Sequence, residues 1–114
     1  MNGKKAEKLD ALYLRLHGYR ILDTNFHSRF GEIDIIVKRF KTIVFCEVKA
    51  RGKNAVADPG FAVDEIKQRK ILKTAQLYTY LNKLEDFDLR FDVIKIKTNG
   101  LHSKIEHIKD AFGG

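Results

Sequence analysis

Asp34, Glu47 and Lys49 are two acids and an ammonium spaced so that they could act on one centre. They fall within residues 31–51, GEIDIIVKRFKTIVFCEVKAR, two β-branched, alternating runs around a basic middle. That pattern predicts a hairpin. A turn at residues 39–42, centred between Phe40 and Lys41, opposes Asp34 to Glu47, Glu32 to Lys49 and Val37 to Val44. Opposed residues share a face, and faces alternate along each strand. One face then carries Ile33, Ile35, Val37, Val44, Cys46 and Val48; the other carries Glu32, Asp34, Ile36, Ile43, Phe45, Glu47 and Lys49.

Opposed Cβ atoms on a hairpin lie roughly 4.5–5.5 Å apart, where like charges repel. Three carboxylates and one ammonium among Ile36, Ile43 and Phe45 are costly to bury without a further cation. A salt-bridge network through Lys49 is the plainer alternative. A hard divalent ion, Mg2+ (or Mn2+), accounts for more, because Mg2+ is commonly held by one or two carboxylates plus phosphate oxygens. The matching chemistry is phosphodiester hydrolysis. Such an ion neutralises phosphoryl oxygens and lowers the pKa of a water, while a neighbouring ammonium orients that water or meets developing charge.

The whole chain supports a polyanionic partner. Its 114 residues hold 22 Lys and Arg against 15 Asp and Glu, a net charge of +7. A metal-binding protein with no nucleic-acid partner would explain the acidic cluster but not this excess. One Cys excludes an internal disulfide framework, and Cys46, on the apolar hairpin face, is expected to be a small buried residue. His17, His27, His102 and His107 show no zinc spacing with it, and no Gly-rich phosphate loop is present. No apolar run suits a membrane span or a signal peptide, so a cytoplasmic protein with no membrane partner is expected. The Tyr and Phe residues sit at core-like spacings and give no signal for base stacking.

The length suits a single domain, residues 1–114. Residues 3–17 read as a helix with Ala6, Leu9, Leu12, Tyr13 and Leu16 as its apolar stripe, and Gly18 as its stop. Residues 19–22 suggest a short strand and 23–30 a polar, irregular stretch. After the hairpin, residues 52–60 form a loop around Asp58-Pro59-Gly60. Asp64 can cap a helix to about Leu84, burying Ile66, Ile71, Ala75, Tyr78 and Leu81. Residues 89–97 alternate as a strand, with Leu89, Phe91 and Val93 on one face and Arg90, Asp92 and Ile94 on the other. Asp92 is expected to face solvent or to stand behind the metal ligands. Asn99-Gly100 is a turn, and residues 103–108 a short strand or a helical tail. The fold class is α/β: a small mixed central sheet with flanking helices, in α-β-β-β-α-β order. Lys67, Gln68, Arg69, Lys70 and Lys73 bring four positive charges into two turns of the second helix. Lys67, Lys70 and Lys73 share one side of it, which favours phosphate contact over a merely solvated face. Arg29 and Arg51 flank the hairpin and are equally well read as phosphate contacts or as solubilising charges.

Asp34 with Glu47-Val48-Lys49 resembles the D…ExK signature of the PD-(D/E)xK, restriction-endonuclease-like superfamily. A wider set, GYRIL…N…RFGEIDIIV…FCEVKAR…KQRK…A…Y…RFDVIKI, is similar to the YraN-like family of small bacterial endonuclease-like proteins. The similarity runs from the first helix to the strand at residues 90–97. It implies a restriction-endonuclease-like core, with Asp34, Glu47 and the main-chain carbonyl of Val48 as metal ligands and Lys49 activating water. Glu7 falls where the superfamily often has a helical acid facing the metal, although the usual Gly-Glu opening reads Ala6-Glu7 here. Glu32 lies in the same block, to pair with Lys49 or support the ligands. The implied function is metal-dependent hydrolysis of DNA phosphodiester bonds, with branched or single-stranded DNA among the candidate substrates. A non-cleaving nucleic-acid-binding module of the same fold is the alternative. One site per chain means that cutting both strands requires a homodimer or a protein partner.

Overall fold

The computed structural model describes residues 3–51, 63–99 and 102–113, with backbone alone at Lys4, Arg51 and Asn99. The elements are α1 (Gly3–Leu16), β1 (Arg20–Ser28), β2 (Gly31–Arg39), β3 (Thr42–Arg51), α2 (Glu65–Leu81), β4 (Asp88–Asn99) and β5 (His102–Phe112). The five strands form one sheet in chain order. β3 and β4 run parallel; the other neighbours are antiparallel. A parallel pair needs a crossover, and α2 lies within it. The expected mixed α/β order is present, with the C-terminal stretch forming a full strand rather than a helical tail. The expected Asp58-Pro59-Gly60 turn and Gly100 lie outside the described residues.

One helix covers each face of the sheet. Ile36, Ile43, Phe45, Phe91 and Val93 pack with Ile71, Ala75 and Tyr78 of α2. Ile35, Val37, Val44, Cys46 and Ile94 pack with Leu14 of α1 and with Tyr19. The hairpin register is the predicted one near the turn, running from Arg39↔Thr42 to Ile35↔Cys46. There the pairing stops, so the expected oppositions of Asp34 to Glu47 and Glu32 to Lys49 do not form. Ile33 also departs from expectation. It packs on the α2 side while Ile35 packs on the α1 side, so strict alternation fails at Asp34.

β1 is much longer than expected, taking in most of the stretch read as irregular. A register shift between Ile21 and Asp23, and a left-handed Asn25 (φ 53°), break its alternation. Ile21 serves the α1-side core, whereas Leu22 and Phe26 serve the α2 side. The positions between Leu22 and Phe26 are Asp23, Thr24 and Asn25, so no apolar alternation marks the strand.

Both helices bury only part of the stripe expected. On α1 the buried residues are Ala6, Asp10 and Leu14, while Leu12 and Leu16 are exposed. The stripe obeys i, i+4 spacing, but its middle member is an acid, which hides it from a count of apolar residues. On α2, Asp64 is the N-cap as expected, its Oδ1 accepting from the Lys67 amide at 2.8 Å. Ile66 and Leu81, expected in its core face, are 66% and 58% exposed. Ile71, Ala75 and Tyr78 are buried as expected, and Thr74 joins them.

Asp92 is fully buried rather than solvent-facing. Its carboxylate accepts from Arg90 Nε and Nη2 (2.9 and 2.8 Å), meets His107 Nε2 at 2.7 Å, and accepts from the Asp110 amide at 3.0 Å. Burial alone would raise its pKa, but the bonds from His107, Arg90 and Asp110 outweigh that and hold it below the usual carboxylate value. Arg90 also donates to the Tyr19 hydroxyl, and His107 Nδ1 meets the Tyr13 hydroxyl, which ties α1 to β4 and β5.

Gly18 ends α1 as predicted. The Tyr19 amide bonds to the Leu14 carbonyl at 2.9 Å and the Gly18 amide to Arg15 at 3.2 Å, the paired bonds of a Schellman cap, with Gly18 at φ +86°. Gly18→Ala is expected to cost about 1 kcal/mol, because a side chain is strained in that conformation. A lower urea midpoint with an unchanged slope would register it.

Candidate functional site

The hairpin splays where β2 leaves β3, and α2 passes over the gap. The result is a cleft of about 340 Å³ lined by Gly31, Glu32, Asp34, Glu47, Lys67 and Lys70, among others. Asp34 and Glu47 therefore share one cleft although they are not ladder partners. Asp34 is held by the splay itself: its Oδ2 accepts the Val48 amide at 2.8 Å, replacing a strand bond. Burial and then the Glu47 carboxylate push its pKa up to about 6, against the opposing pull of the Val48 amide.

Glu47 is nearly buried, and Lys67 Nζ donates to its Oε1 at 2.6 Å. Burial works against the Lys67 ammonium, but the bond to Glu47 and the charges of Glu47 and Asp34 leave its pKa above the ordinary lysine value. A cation is thus already drawn to this carboxylate, from the chain's own second helix.

Asp10 enters from the opposite helix. It is 0% exposed, and neither of its carboxylate oxygens has a hydrogen-bond partner. Burial, then the charges of Asp34 and Glu7, push its pKa up to about 7. Buried polar groups are nearly always bonded, so a bare carboxyl within reach of a second carboxyl's charge is a strong departure. Among the described residues no three Asp, Glu, His or Cys groups form a complete cation cage. Two carboxylates suffice, however, where waters and phosphate oxygens complete the shell, as is usual for Mg2+. The donor set, oxygen-only and over-acidic, fits a hard divalent ion.

Comparisons with known proteins place this sequence in a family. Residues 6–96 match the model described as "Uncharacterised protein family UPF0102". The chain belongs to that family. A UPF0102 protein of Persephonella marina is 45% identical over 112 residues, covering 98% of this chain and 93% of its own. One from Geobacter metallireducens is 46% identical over 110 residues, covering 96% and 90%. One from Clostridium tetani is 49% identical over 112 residues, covering 96% and 92%.

On this UPF0102 fold the remaining predicted site residues take varied positions. Lys49 follows Glu47 on β3, on the same face by alternation, with the buried Lys95 as its register partner. The Val48 amide donates to Asp34; the carbonyl expected as a ligand is a separate group of the same residue. Glu7 accepts from Asn25 Nδ2 at 3.2 Å, at the mouth between α1 and β1. Glu32 pairs with His27 across the β1–β2 hairpin at 3.1 Å. Lys67 reaches Glu47 in the cleft, and Gln68 Nε2 donates to the Val63 carbonyl at 2.5 Å, near the start of α2. Lys70 and Lys73 remain exposed on α2, and Arg29 on the β1–β2 turn. Arg51 is the last residue of β3, and its side chain lies outside the described ones. No helix among the described residues is long and apolar enough to cross a membrane. The residue that sequence reasoning missed is Asp10. Its signal was present as an acid in the i+4 position between Ala6 and Leu14.

Proposed function

We propose that this chain is a metal-dependent nuclease that hydrolyses DNA phosphodiester bonds in the cleft between the splayed β2–β3 hairpin and the first half of α2. The observation that carries the reading is Asp34 and Glu47 in one cleft with Lys70 at its edge, on a chain of net charge +7. Asp34 and Glu47 would hold Mg2+ or Mn2+, and Asp10 adds negative charge from below. When bound, the ion would neutralise phosphoryl oxygens and acidify a water. The chain's own residues do the rest. The Val48 amide fixes the Asp34 carboxylate, Lys49 orients the attacking water and meets developing charge, and Lys70 and Lys73 hold the strand by its phosphates. Lys67 keeps Glu47 neutralised until substrate and metal arrive. The resemblance to the PD-(D/E)xK superfamily supports the same assignment.

The test is cleavage of linear duplex, single-stranded and four-way-junction DNA with Mg2+, Mn2+ or EDTA. Metal-dependent cutting of any of these supports the proposal. DNA binding with no cutting in either metal leaves the non-cleaving module as the function. Lys70→Ala and Lys73→Ala are each expected to weaken DNA binding across all sequences and to lower the slope of log affinity against log salt by about one. Fluorescence anisotropy titrations at several salt concentrations measure both.

A further inference from the structure

Phe30 sits where the core has no use for it. It lies at the turn between β1 and β2, and neither apolar cluster among the described residues includes it. Two cations attend its half-buried ring: the Arg29 guanidinium at 4.9 Å from the centroid and the Lys73 ammonium at 5.9 Å. The turn does not need the ring to hold its shape. The Phe30 amide donates to the Ser28 hydroxyl at 3.1 Å, and that hydroxyl in turn meets Thr74 Oγ1 of α2 at 3.2 Å. The next residue, Gly31, lines the cleft, and a Cβ built on it would stand 3.4 Å from the Lys70 Cβ. The turn that carries Phe30 is therefore fixed at the rim of the cleft by main-chain and hydroxyl bonds, and Arg29 and Lys73 lie over its ring.

We propose that Phe30 is a stacking platform for an unpaired base, with Arg29, Lys70 and Lys73 holding the neighbouring phosphates. The inference rests on the nuclease reading for its choice of nucleic acid as ligand, and it names the substrate class: single-stranded or locally unpaired DNA. A base inside a duplex has its faces covered by its neighbours, so only an unpaired one can lie on the ring. Aromatic side chains among backbone-binding cations are the usual means of gripping such strands.

The chain contains no Trp, so Phe30→Trp places a single selective fluorophore at the platform. Titrated in EDTA, where nothing is cut, its emission is expected to be quenched by a single-stranded oligonucleotide and unchanged by the matching blunt duplex. Phe30→Ala should lose about tenfold in single-strand affinity, keep its duplex affinity and fold normally, while Phe30→Tyr restores binding. Equal losses on both DNA forms, or unquenched indole emission from the Phe30→Trp variant in a complex that forms, would overturn the proposal. A wild-type chain that binds no DNA sinks this inference and the nuclease reading together. Phe30-dependent binding without metal-dependent cutting supports the platform and removes only the nuclease. Cutting that is indifferent to Phe30 does the reverse.

Discussion

Asp34→Asn and Glu47→Gln are each expected to lower DNA cleavage on the order of a thousandfold, equivalent to about 4 kcal/mol of barrier. Both substitutions keep size and shape and remove one charge from the cleft. The carboxamide introduced by Asp34→Asn would also bring a donor toward the Val48 amide, where a carboxylate now accepts at 2.8 Å. DNA affinity should survive in both variants, because Arg29, Lys70 and Lys73 lie outside the acid pair. A second reading of Glu47 is that it only anchors Lys67. Lys67→Met separates the two: it removes the ion pair and leaves the acid, so cleavage should persist. The metal-induced rise in melting temperature gives a readout independent of activity, since a ligand bound only to the native state raises stability. That rise should shrink in Asp34→Asn and Glu47→Gln and remain in Lys49→Ala, which loses cleavage alone. Persistent cleavage in both acid variants, with contaminating nucleases excluded, would place the site elsewhere.

Without metal the protein should lose stability as pH rises from about 4 to about 7. Asp10 and Asp34 are raised to about 7 and about 6 from an ordinary aspartate value of 3.8. A carboxyl with a raised folded pKa binds its proton more tightly in the native state than in the unfolded chain. Its contribution is complete below the unfolded value and disappears as pH climbs through the folded one. A tenfold change in proton affinity is worth about 1.4 kcal/mol, so the two groups together amount to several kcal/mol. Asp92 works in the opposite sense, because its pKa is lowered; its contribution is lost only at more acid pH. Urea unfolding in EDTA across this range measures the trend. Asp10→Asn should flatten it and make the metal-free protein more stable than wild type above about pH 7. A profile that rises between about pH 4 and 7 would mean that Asp10 and Asp34 do not carry the raised proton affinities described.

Local chemistry determined much of what the sequence shows. The Phe40–Lys41 turn, the cap at Asp64, the stop at Gly18 and the alternation of β4 each depend on a few neighbouring residues. The sharing of one cleft by Asp34 and Glu47 is legible for the same reason, since one hairpin carries both. Tertiary structure decided the rest. The hairpin splays at Asp34 because a carboxylate there takes the Val48 amide, a choice that competes with the ladder bond and leaves no mark on the pattern. β1 extends through a polar stretch because its residues serve two cores on opposite faces. Lys67 and Lys70 both line the cleft, but only Lys67 is drawn to a carboxylate there, because Glu47 from a distant strand claims it. Asp10 is absent from the apolar stripe read for α1, and its burial emerges only when α1 is laid on the sheet. Its burial is then set by Ala6 and Leu14, which hold the helix face down, and by nothing in Asp10 itself. Periodicity records which residues gain from leaving water; it does not record a charge carried inside by the packing of its neighbours.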